Sequence, residues 1–417
     1  MQTVKVPARR WYDNQEREIT FPDYWQVDNL TAPGLEKAGL TVAQIRDRIV
    51  NPVEGPPLNE LARDKKQAVI VFDDMTRPTP IKEAAEIVLE ILHGAGMKEE
   101  QIRFIWALGS HGAYDLINAR KKLGDYIVER YRVYNHDAFQ SHQLTYVGRT
   151  PSGVDLWFNR EFMRCDLKIG IGCVTPHVQV GFGGGAKLIL PGVAGIDTIN
   201  QYHKQLAIDP GSGGLGNFEK NILRREIDYA GDVVNLNFKI DCLLNRKGEI
   251  AELFSGNFKA THAAGAEAGK AHYGIDYMTG YDIAISNGYA KASESGICTL
   301  LAAMAVKKGE GTGVVIMDSP EGQVTHYVFR RWGADYGGSQ YVDYQPGKRF
   351  VPHMMKKFII FNPAPDPNCV DVICHHDDVV FAKTWEEVLA LLQKDYPGPA
   401  RVAVIPDGTM QFMRAGV

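Results

Sequence analysis

The sequence lacks any long apolar run. No stretch of about 18 apolar residues occurs in its 417 residues, so no transmembrane helix is expected. The first 18 residues contain no apolar segment of the kind that a secretory signal carries, which predicts a cytoplasmic protein. There is no dense block of Lys and Arg, and the formal net charge is −4. This charge argues against binding to nucleic acid or to an anionic membrane.

Cysteines are few and scattered. The six cysteines form no CxxC pair, so reduced thiols are expected rather than a disulfide framework. One cluster has the character of metal ligands, and it comprises Cys369, Cys374, His375 and His376. Its spacing matches no standard zinc pattern, so we expect a structural or incidental role.

The common nucleotide-binding motifs are also missing, since the sequence contains neither a Walker pattern nor GxGxxG. A nicotinamide-dependent dehydrogenase of 2-hydroxy acids should carry GxGxxG after an early strand, so this absence weighs against that class. It stays open as an alternative, together with a non-catalytic nucleotide-binding or metabolite-binding protein.

Alternating strand and helix patterns begin at Gln67. The apolar run AVIVF predicts a buried strand, IKEAAEIVLEILHGAG an amphipathic helix, and QIRFIWAL the next strand. A second alternation begins with YDIAISNG. We predict an α/β fold of two α/β domains with mainly parallel sheets and an active site in the cleft between them. Residues 1–274 would carry the cofactor and catalytic motifs, and residues 275–417 would close the site.

A histidine, a glycine turn and a lysine follow one another after the strand pattern DLKIGIGCV. His177 lies just past the carboxyl end of that strand, where α/β proteins bind ligands. Glycines 183–185 let the backbone approach a ligand and offer N–H groups to an anion, although a flexible turn would explain them equally. Lys187 precedes an apolar run, where desolvation would favour the nucleophilic amine. The alternative is a lysine whose stem packs while its ammonium reaches water.

A second histidine, His203, lies in a helical pattern. It shares one face with Ile196 and Ile199 and is expected to point at the core. A histidine on an apolar face is usually a hydrogen-bonded core residue, yet imidazole is also the commonest metal ligand.

Two further strand ends carry polar residues. The segment DDMTRPTP, residues 73–80, follows AVIVF. Its carboxylates suit ribose hydroxyls and Arg77 suits a phosphate, although Asp and Thr are also favoured where a helix begins. The next strand ends in GSH, so His111 is either an acid–base residue or a loop residue bonded to the backbone.

Together the TPH…GGGAK…H arrangement, DDMTRPTP and the GSH turn resemble the lactate racemase family, whose members use a nickel-pincer nucleotide. The resemblance implies that Lys187 carries this cofactor through a covalent link and that His203 coordinates nickel. His111 and His177 would be the two acid–base residues. The segment that would bind the mononucleotide comprises Asp74, Met75, Thr76 and Arg77.

The implied activity is racemisation or epimerisation of a 2-hydroxy acid by hydride transfer, through a 2-keto acid intermediate. The implied cofactor is the Ni(II)-pyridinium-3,5-bisthiocarboxylic acid mononucleotide. The expected partners are a small 2-hydroxy acid and the proteins that make and load the cofactor, so protein made in another host can lack it. A homo-oligomer is left open.

Two departures from the family pattern concern the substrate. Gly112 follows the catalytic histidine where the lactate enzymes commonly have arginine, and the loop at residues 288–300 is altered. Lys291 and Glu294 are the candidates for substrate contacts in that loop. The resemblance therefore implies a substrate other than plain lactate, such as malate or a sugar acid. A third histidine, His136, is expected to be structural.

Overall fold

The computed structural model describes residues 1–324, 354–364, 374 and 376–414. Helices and strands alternate along most of this part, and most strand pairs are parallel, which confirms the predicted α/β fold. None of the helices in these ranges has both the length and the apolar character that a membrane crossing requires.

The chain divides into two compact units. One comprises residues 36–272, and the other combines residues 1–35 with residues 273–417. The predicted boundary at residue 274 lies beside the observed one. The first 35 residues, however, were expected in the first domain and belong instead with the C-terminal part.

Strand pairing explains the place of the first 35 residues. Strands β1 (Gln2–Ala8) and β2 (Gln15–Phe21) form an antiparallel hairpin. The next strand, β3 (Gln26–Asn29), pairs in parallel with β19 (Arg401–Ile405), near the other end of the chain. A short polar strand of this kind matches many edges by pattern alone, so only the folded chain shows which edge it joins.

The unit of residues 36–272 has ten strands, six of which form its main sheet. Its strands and short ribbons are β4 (Ala68–Asp73), β5 (Ile102–Ala107), β6 (Arg132–Asn135), β7 (Leu144–Arg149), β8 (Asp155–Asn159), β9 (Leu167–Cys173), β10 (Pro176–His177), β11 (Gly181–Phe182), β12 (Phe238–Leu244) and β13 (Ile250–Gly256). The sheet order is β13-β12-β9-β4-β5-β6, and all neighbours are parallel except β12 and β13. Strands β12 and β13 form an antiparallel hairpin, and the segment RKGE lies in the turn between them.

The helices of this unit are α1 (Val42–Val50), α2 (Leu58–Leu61), α3 (Lys82–Gly94), α4 (Leu116–Arg130), α5 (Arg160–Met163), α6 (Ile196–Lys204), α7 (Ile222–Val233) and α8 (Phe258–Tyr273). Short 3₁₀ helices lie at Glu99–Gln101, Ser141–Gln143, Gly185–Leu188, Gln205–Ala207 and Pro210–Ser212. Helix α1 begins with a capping box, since the hydroxyl of Thr41 accepts from the Gln44 amide and the Gln44 side chain accepts from that of Thr41.

The centre of this sheet is fully buried. Every residue of β4, β9 and β12 is buried, as expected for parallel strands covered on both faces. From β4 the chain proceeds to β5 and β6 on one side, and it later returns to β9 and β12 on the other. Such a reversal opens a crevice at the carboxyl ends of the central strands, where α/β proteins bind ligands.

The other unit contains a sheet of six described strands in the order β18-β17-β16-β15-β19-β3, all parallel. Its remaining elements are β14 (Gly274–Ile275), β15 (Ile283–Asn287), α9 (Cys298–Ala305), β16 (Thr312–Ile316), β17 (Lys357–Phe361), β18 (Val380–Ala382), α10 (Trp385–Asp395), β20 (Phe412–Met413) and the 3₁₀ helices Pro33–Glu36, Ala292–Ile297 and His376–Asp378. Phe21 of the hairpin packs in its core against Trp385 with ring centroids 5.6 Å apart.

Candidate active site

Three neighbouring strands of the sheet in residues 36–272 end in the predicted site segments. Strand β4 leads into DDMTR. Its two neighbours in the sheet, β9 and β5, lead into TPH and GSH respectively. The carboxyl ends of parallel strands lie at one edge, so the fold brings the three segments together at the crevice.

Asp74 and His111 contact each other directly. The carboxylate Oδ2 of Asp74 lies 2.5 Å from Nδ1 of His111, and both side chains are largely buried. The other oxygen, Oδ1, accepts from the amide of Thr76 at 3.0 Å and from its hydroxyl at 2.5 Å. Burial by itself would raise the pKa of Asp74, but His111, Arg77 and Thr76 together bring it below its ordinary value. The sequence predicted a nucleotide contact for Asp74, whereas the structure places its carboxylate on a histidine.

Arg77 is fixed by its own segment. Its Nη1 donates to the carbonyl of Thr76 at 3.1 Å and to the Thr76 hydroxyl at 2.8 Å. Met75 and Thr76 are buried, whereas Arg77 is partly exposed. Of these three residues, the arginine therefore has the most exposed group for binding an anion.

A buried ion pair that sequence reasoning missed lies behind this segment. Nζ of Lys122, which is fully buried, donates to Asp73 at 2.5 Å and to the carbonyl of Arg77 at 2.8 Å. Burial lowers the pKa of Lys122, and Asp73 opposes that shift. The sequence did contain a signal, because Lys122 follows Ala119 by three positions on the buried face of α4.

His177 is half-buried and contacts the backbone. It lies in the two-residue strand β10, opposite Gly181 of β11. Its Nδ1 accepts from the amide of Gln179 at 3.2 Å and from that of Val180 at 3.4 Å. Because both donors are amides, Nδ1 carries no proton in this arrangement.

The glycine turn serves packing more than anion binding. The amide of Gly183 donates to the carbonyl of Thr175, and that of Gly185 donates to the carboxylate of Asp241, each at 2.8 Å. Gly184 has a φ of +87°, and a Cβ there would lie 2.6 Å from Val174. The amides of Gly183 and Gly185 both donate within the protein, so they are not offered to a bound anion.

Charged side chains bind the backbone of the glycine turn. Arg224 donates to the carbonyls of Phe182 at 2.6 Å and of Gly184 at 3.2 Å. Lys239 and Asp241 form a fully buried pair 2.6 Å apart, and Asp241 also accepts from the turn. Because Arg224 and Asp241 bind backbone groups of the turn, they hold it in one conformation.

Lys187 lies in the 3₁₀ helix Gly185–Leu188, which packs on β4, β9 and β12. The side chain of Lys187 is half-buried. Its carbonyl accepts from the amide of Gly192 at 3.2 Å, and the carbonyl of Gly192 accepts from the amide of Gly109 at 2.8 Å. Because Gly109 precedes His111 by two residues, the lysine turn and the GSH turn are joined by backbone hydrogen bonds.

His203 lies near the end of α6, which packs on β8 and α7, and α7 in turn packs on the 3₁₀ helix that contains Lys187. The ring is half-buried, and its Nδ1 donates to the carbonyl of Ile199 at 2.7 Å. This bond leaves Nε2 as the unprotonated nitrogen, which is the arrangement that metal-binding histidines adopt. In this form the imidazole of His203 suits a metal ion.

Lys291 and Glu294 lie in the other unit. Lys291 is buried, and its amide donates to the hydroxyl of Thr409 at 3.1 Å. Glu294 follows one turn later, and its amide donates to the carbonyl of Lys291 at 2.8 Å. The neighbouring Asp407 is buried and accepts from the amides of Ala290 and Thr409. Burial raises the pKa of Asp407 to about 6.

His136 is structural, as predicted. It is buried, its Nε2 donates to the carbonyl of Ala194 at 2.8 Å, and its Nδ1 lies 3.3 Å from the amide nitrogen of Asn159. Burial lowers its pKa to about 4. Of the Cys/His cluster, Cys369 and His375 lie outside the described residues. In the part that the structure describes, no group of three or more His, Cys, Asp or Glu side chains could hold a metal ion.

The family model described as the lactate racemase N-terminal domain matches residues 12–214. Two curated proteins named lactate racemase are similar to the chain. The one from Thermoanaerobacterium thermosaccharolyticum is 30% identical over 223 residues, which are 54% of this chain and 52% of that protein. The one from Lactiplantibacillus plantarum is 26% identical over 376 residues, which are 86% of this chain and 87% of that protein. The match thus spans about half of the first relative and most of the second.

Two solved structures share the fold. The lactate racemase apoprotein from T. thermosaccharolyticum has a TM-score of 0.77 at 22% identity and covers 99% of this chain and 100% of that chain. A crystal structure of a protein from Thermotoga maritima has a TM-score of 0.67 at 17% identity, with 91% of this chain and 100% of that chain covered.

The segments DDMTR, GSH, TPH and GGGAK therefore lie in a lactate racemase N-terminal domain. Over this region the chain is similar to the lactate racemase family.

Proposed function

We propose that the chain racemises or epimerises a 2-hydroxy acid. Two curated relatives are named lactate racemase. The observation that carries the proposal is the pair of histidines that follow the two strands flanking β4, His111 on a buried carboxylate after β5 and His177 beside the glycine turn after β9. A racemase must serve a hydroxyl on either face of the substrate, and two histidines on different strands suit that task.

We propose a nickel-pincer nucleotide as the cofactor, loaded by dedicated proteins. Lys187 would be its covalent anchor, His203 its protein ligand to nickel, and Arg77 the contact to its phosphate. When bound, the cofactor would supply a hydride acceptor, which suits a 2-hydroxy acid because its α-hydrogen is too weakly acidic for easy removal as a proton.

The proton chemistry belongs to the chain itself. One histidine takes the hydroxyl proton of the substrate as the carbon is oxidised, and a 2-keto acid results. When the carbon is reduced again on its other face, a histidine would give a proton back to the oxygen. Asp74 lies against His111 and would stabilise the cation that forms there.

The substrate we propose is bulkier than lactate. A Cβ placed on Gly112 would meet no atom within 4 Å among the described residues, so there is open space directly after His111. An arginine at this position would occupy that space. Malate or a sugar acid is therefore favoured over the simple monohydroxy acid.

The anchor can be tested with protein produced beside the cofactor-synthesis enzymes. Intact mass should show a covalent increment in the wild type and in Lys220→Ala, an exposed lysine control, but none in Lys187→Ala. His203→Ala should lose nickel and keep the increment. If the wild type shows no increment while a control enzyme is loaded, the cofactor proposal fails.

The activity can be tested with single enantiomers of lactate, malate and sugar acids. Loss of optical activity with the loaded enzyme would support the proposal, and its absence across the panel would point back to a binding protein. Substrate deuterated at the α-carbon should keep its deuterium in the product. Exchange of that deuterium with solvent would contradict hydride transfer and indicate proton abstraction.

A further inference from the structure

The two histidines of the site differ in what their Nδ1 atoms contact. In His111, Nδ1 faces the carboxylate of Asp74, which accepts hydrogen bonds only. In His177, Nδ1 faces the amides of Gln179 and Val180, which donate only. One Nδ1 must therefore carry a proton, and the other must not.

From this difference we infer that the two rings rest in opposite tautomers and that Asp74 is the positioning residue for His111. His111 rests with its proton on Nδ1 and presents an unprotonated Nε2, so it is the resting base. His177 rests with its proton on Nε2 and presents a hydrogen-bond donor. The inference deepens the proposed function and rests on it for the role of the two rings.

The buried surroundings keep the Asp74–His111 pair in this state. The side chains of Asp74 and His111 are 4% and 12% exposed, so water competes little for the bond. The second oxygen of Asp74 accepts hydrogen bonds from the amide and the hydroxyl of Thr76, and these bonds hold the carboxylate in its orientation. A carboxylate on Nδ1 both selects the tautomer and stabilises the imidazolium that forms on proton transfer.

The proposed proton transfer involves only the substrate hydroxyl and the Asp74–His111 pair. The O–H bond of the substrate breaks, its proton forms a bond to Nε2 of His111, and the Nδ1 proton stays on the bond to Asp74. When the same enantiomer is re-formed, this proton leaves Nε2 and returns to the oxygen. His177 cannot accept a proton on Nε2 until its own proton moves to Nδ1, which would place that proton against two amides. The resting site is thus set for the enantiomer whose hydroxyl faces His111.

Nitrogen NMR of the full-length protein without cofactor tests the tautomers, independently of any activity. The chain is labelled with ¹⁵N-histidine, and the two rings are assigned with His111→Gln and His177→Gln. At about pH 8.5, above the ordinary imidazole pKa, a protonated ring nitrogen resonates far from an unprotonated one. We expect the proton on Nδ1 of His111 and on Nε2 of His177. The same tautomer in both rings, or the reverse assignment, would overturn the inference.

Asp74→Asn tests the positioning role, with Asp64→Asn as a matched control that removes an exposed carboxylate. In the loaded enzyme we expect Asp74→Asn to keep its nickel and its mass increment and to lose about 10²-fold or more in kcat per nickel. Asp64→Asn should change neither quantity. If Asp74→Asn instead loses nickel and keeps kcat per nickel, Asp74 binds the nucleotide and the inference is wrong.

Failure of this inference and failure of the proposed function give different results. If the NMR shows opposite tautomers but no 2-hydroxy acid is racemised, the tautomer inference is supported and the proposed activity is wrong. If racemisation is found but His111 carries its proton on Nε2, the proposed activity is supported and the tautomer inference is wrong.

Discussion

The two units bury their carboxylates in different ways at the carboxyl ends of their sheets. In residues 36–272, two consecutive carboxylates each contact a basic side chain, Asp73 with Lys122 and Asp74 with His111. These pairs are deeply buried, and one of them contains an imidazole, which has one nitrogen to donate and one to accept a proton when neutral. Such an arrangement suits proton transfer.

The other unit uses its carboxylates to fix backbone. Asp407 accepts from the amides of Ala290 and Thr409, and so joins two loops. Asp318 accepts from Arg9 and Arg17, and so fixes the N-terminal hairpin over β16. The comparison teaches that a buried carboxylate is a candidate for chemistry when its partner is itself titratable near neutral pH, and a structural element when its partners are amides or arginines.

The strongest test of the comparison removes the cation of a buried pair. Lys122→Met leaves Asp73 buried without its partner, which should cost about 3 to 5 kcal/mol of stability in residues 36–272. Native-state hydrogen exchange of the β4 and β5 amides measures the loss for this unit alone. Lys121→Met, at the more exposed neighbour, should cost about 0.5 kcal/mol. Equal losses would show that the buried pair contributes nothing particular.

A second test compares a glycine of each unit. Gly184→Ala places a Cβ 2.6 Å from Val174 at a φ of +87°, so strain and overlap add to about 2 to 4 kcal/mol. Gly309→Ala in the other unit has a φ of +72° and open space around the Cβ, so only the backbone term of about 1 kcal/mol is expected. Hydrogen exchange in each unit measures both, and a larger loss for Gly309→Ala would contradict the packing argument.

The units should also respond to acid with opposite signs. His136 has a folded pKa of about 4 against an ordinary 6.5, so the unfolded chain takes up its proton first. Residues 36–272 should therefore lose about 3 kcal/mol as pH falls from 6.5 to 4. Asp407 has a folded pKa of about 6 against an ordinary 3.8, so the folded unit holds this proton up to a higher pH than the unfolded chain does. Its contribution of about 3 kcal/mol to the free energy of unfolding is therefore lost as pH rises from 3.8 to about 6.

Hydrogen exchange at several pH values, corrected for intrinsic rates, measures this difference. His136→Gln should flatten the acid response of the β5 and β6 amides, and Asp407→Asn should flatten the opposite response of the β15 and β19 amides. If both units weaken together on acidification in the wild type, the assignment to these two residues is wrong.

The smallest expected effect concerns the hairpin. Asp318→Asn weakens its bonds to Arg9 and Arg17, whose side chains are 38% and 19% exposed, so about 1 kcal/mol is expected. Asp23→Asn, which removes an exposed pair with the N-terminus, should cost close to nothing. Exchange of the β2 amides distinguishes the two variants, and identical rates would argue that the hairpin is fixed by packing alone.

Local pattern predicted much of the fold. The runs AVIVF and QIRFIWAL became β4 and β5, and the periodic segment IKEAAEIVLEILHGAG between them became α3. The convergence of DDMTR, GSH and TPH also followed from sequence, because parallel strands place their carboxyl ends at one edge. What each residue touches there did not follow. The Asp74–His111 contact joins residues 37 positions apart, and no periodicity reports such a pairing.

The glycine turn shows a second limit. Glycines 183–185 predict a permissive backbone, but whether their amides face a ligand or the protein depends on Asp241 and Thr175. Asp241 lies in β12, whereas Thr175 lies between β9 and β10. Sequence therefore locates a turn of this kind and leaves its hydrogen bonds open.

The pairing of β3 with β19 has a consequence for the order of folding during synthesis. Gln26 lies opposite Arg401, so an early strand has no partner until nearly the whole chain has been made. Residues 36–272 are contiguous and can complete their own sheet in the meantime. Strand β3 must therefore remain unpaired until β19 has been made, and a chaperone that binds nascent chains would have its longest opportunity there.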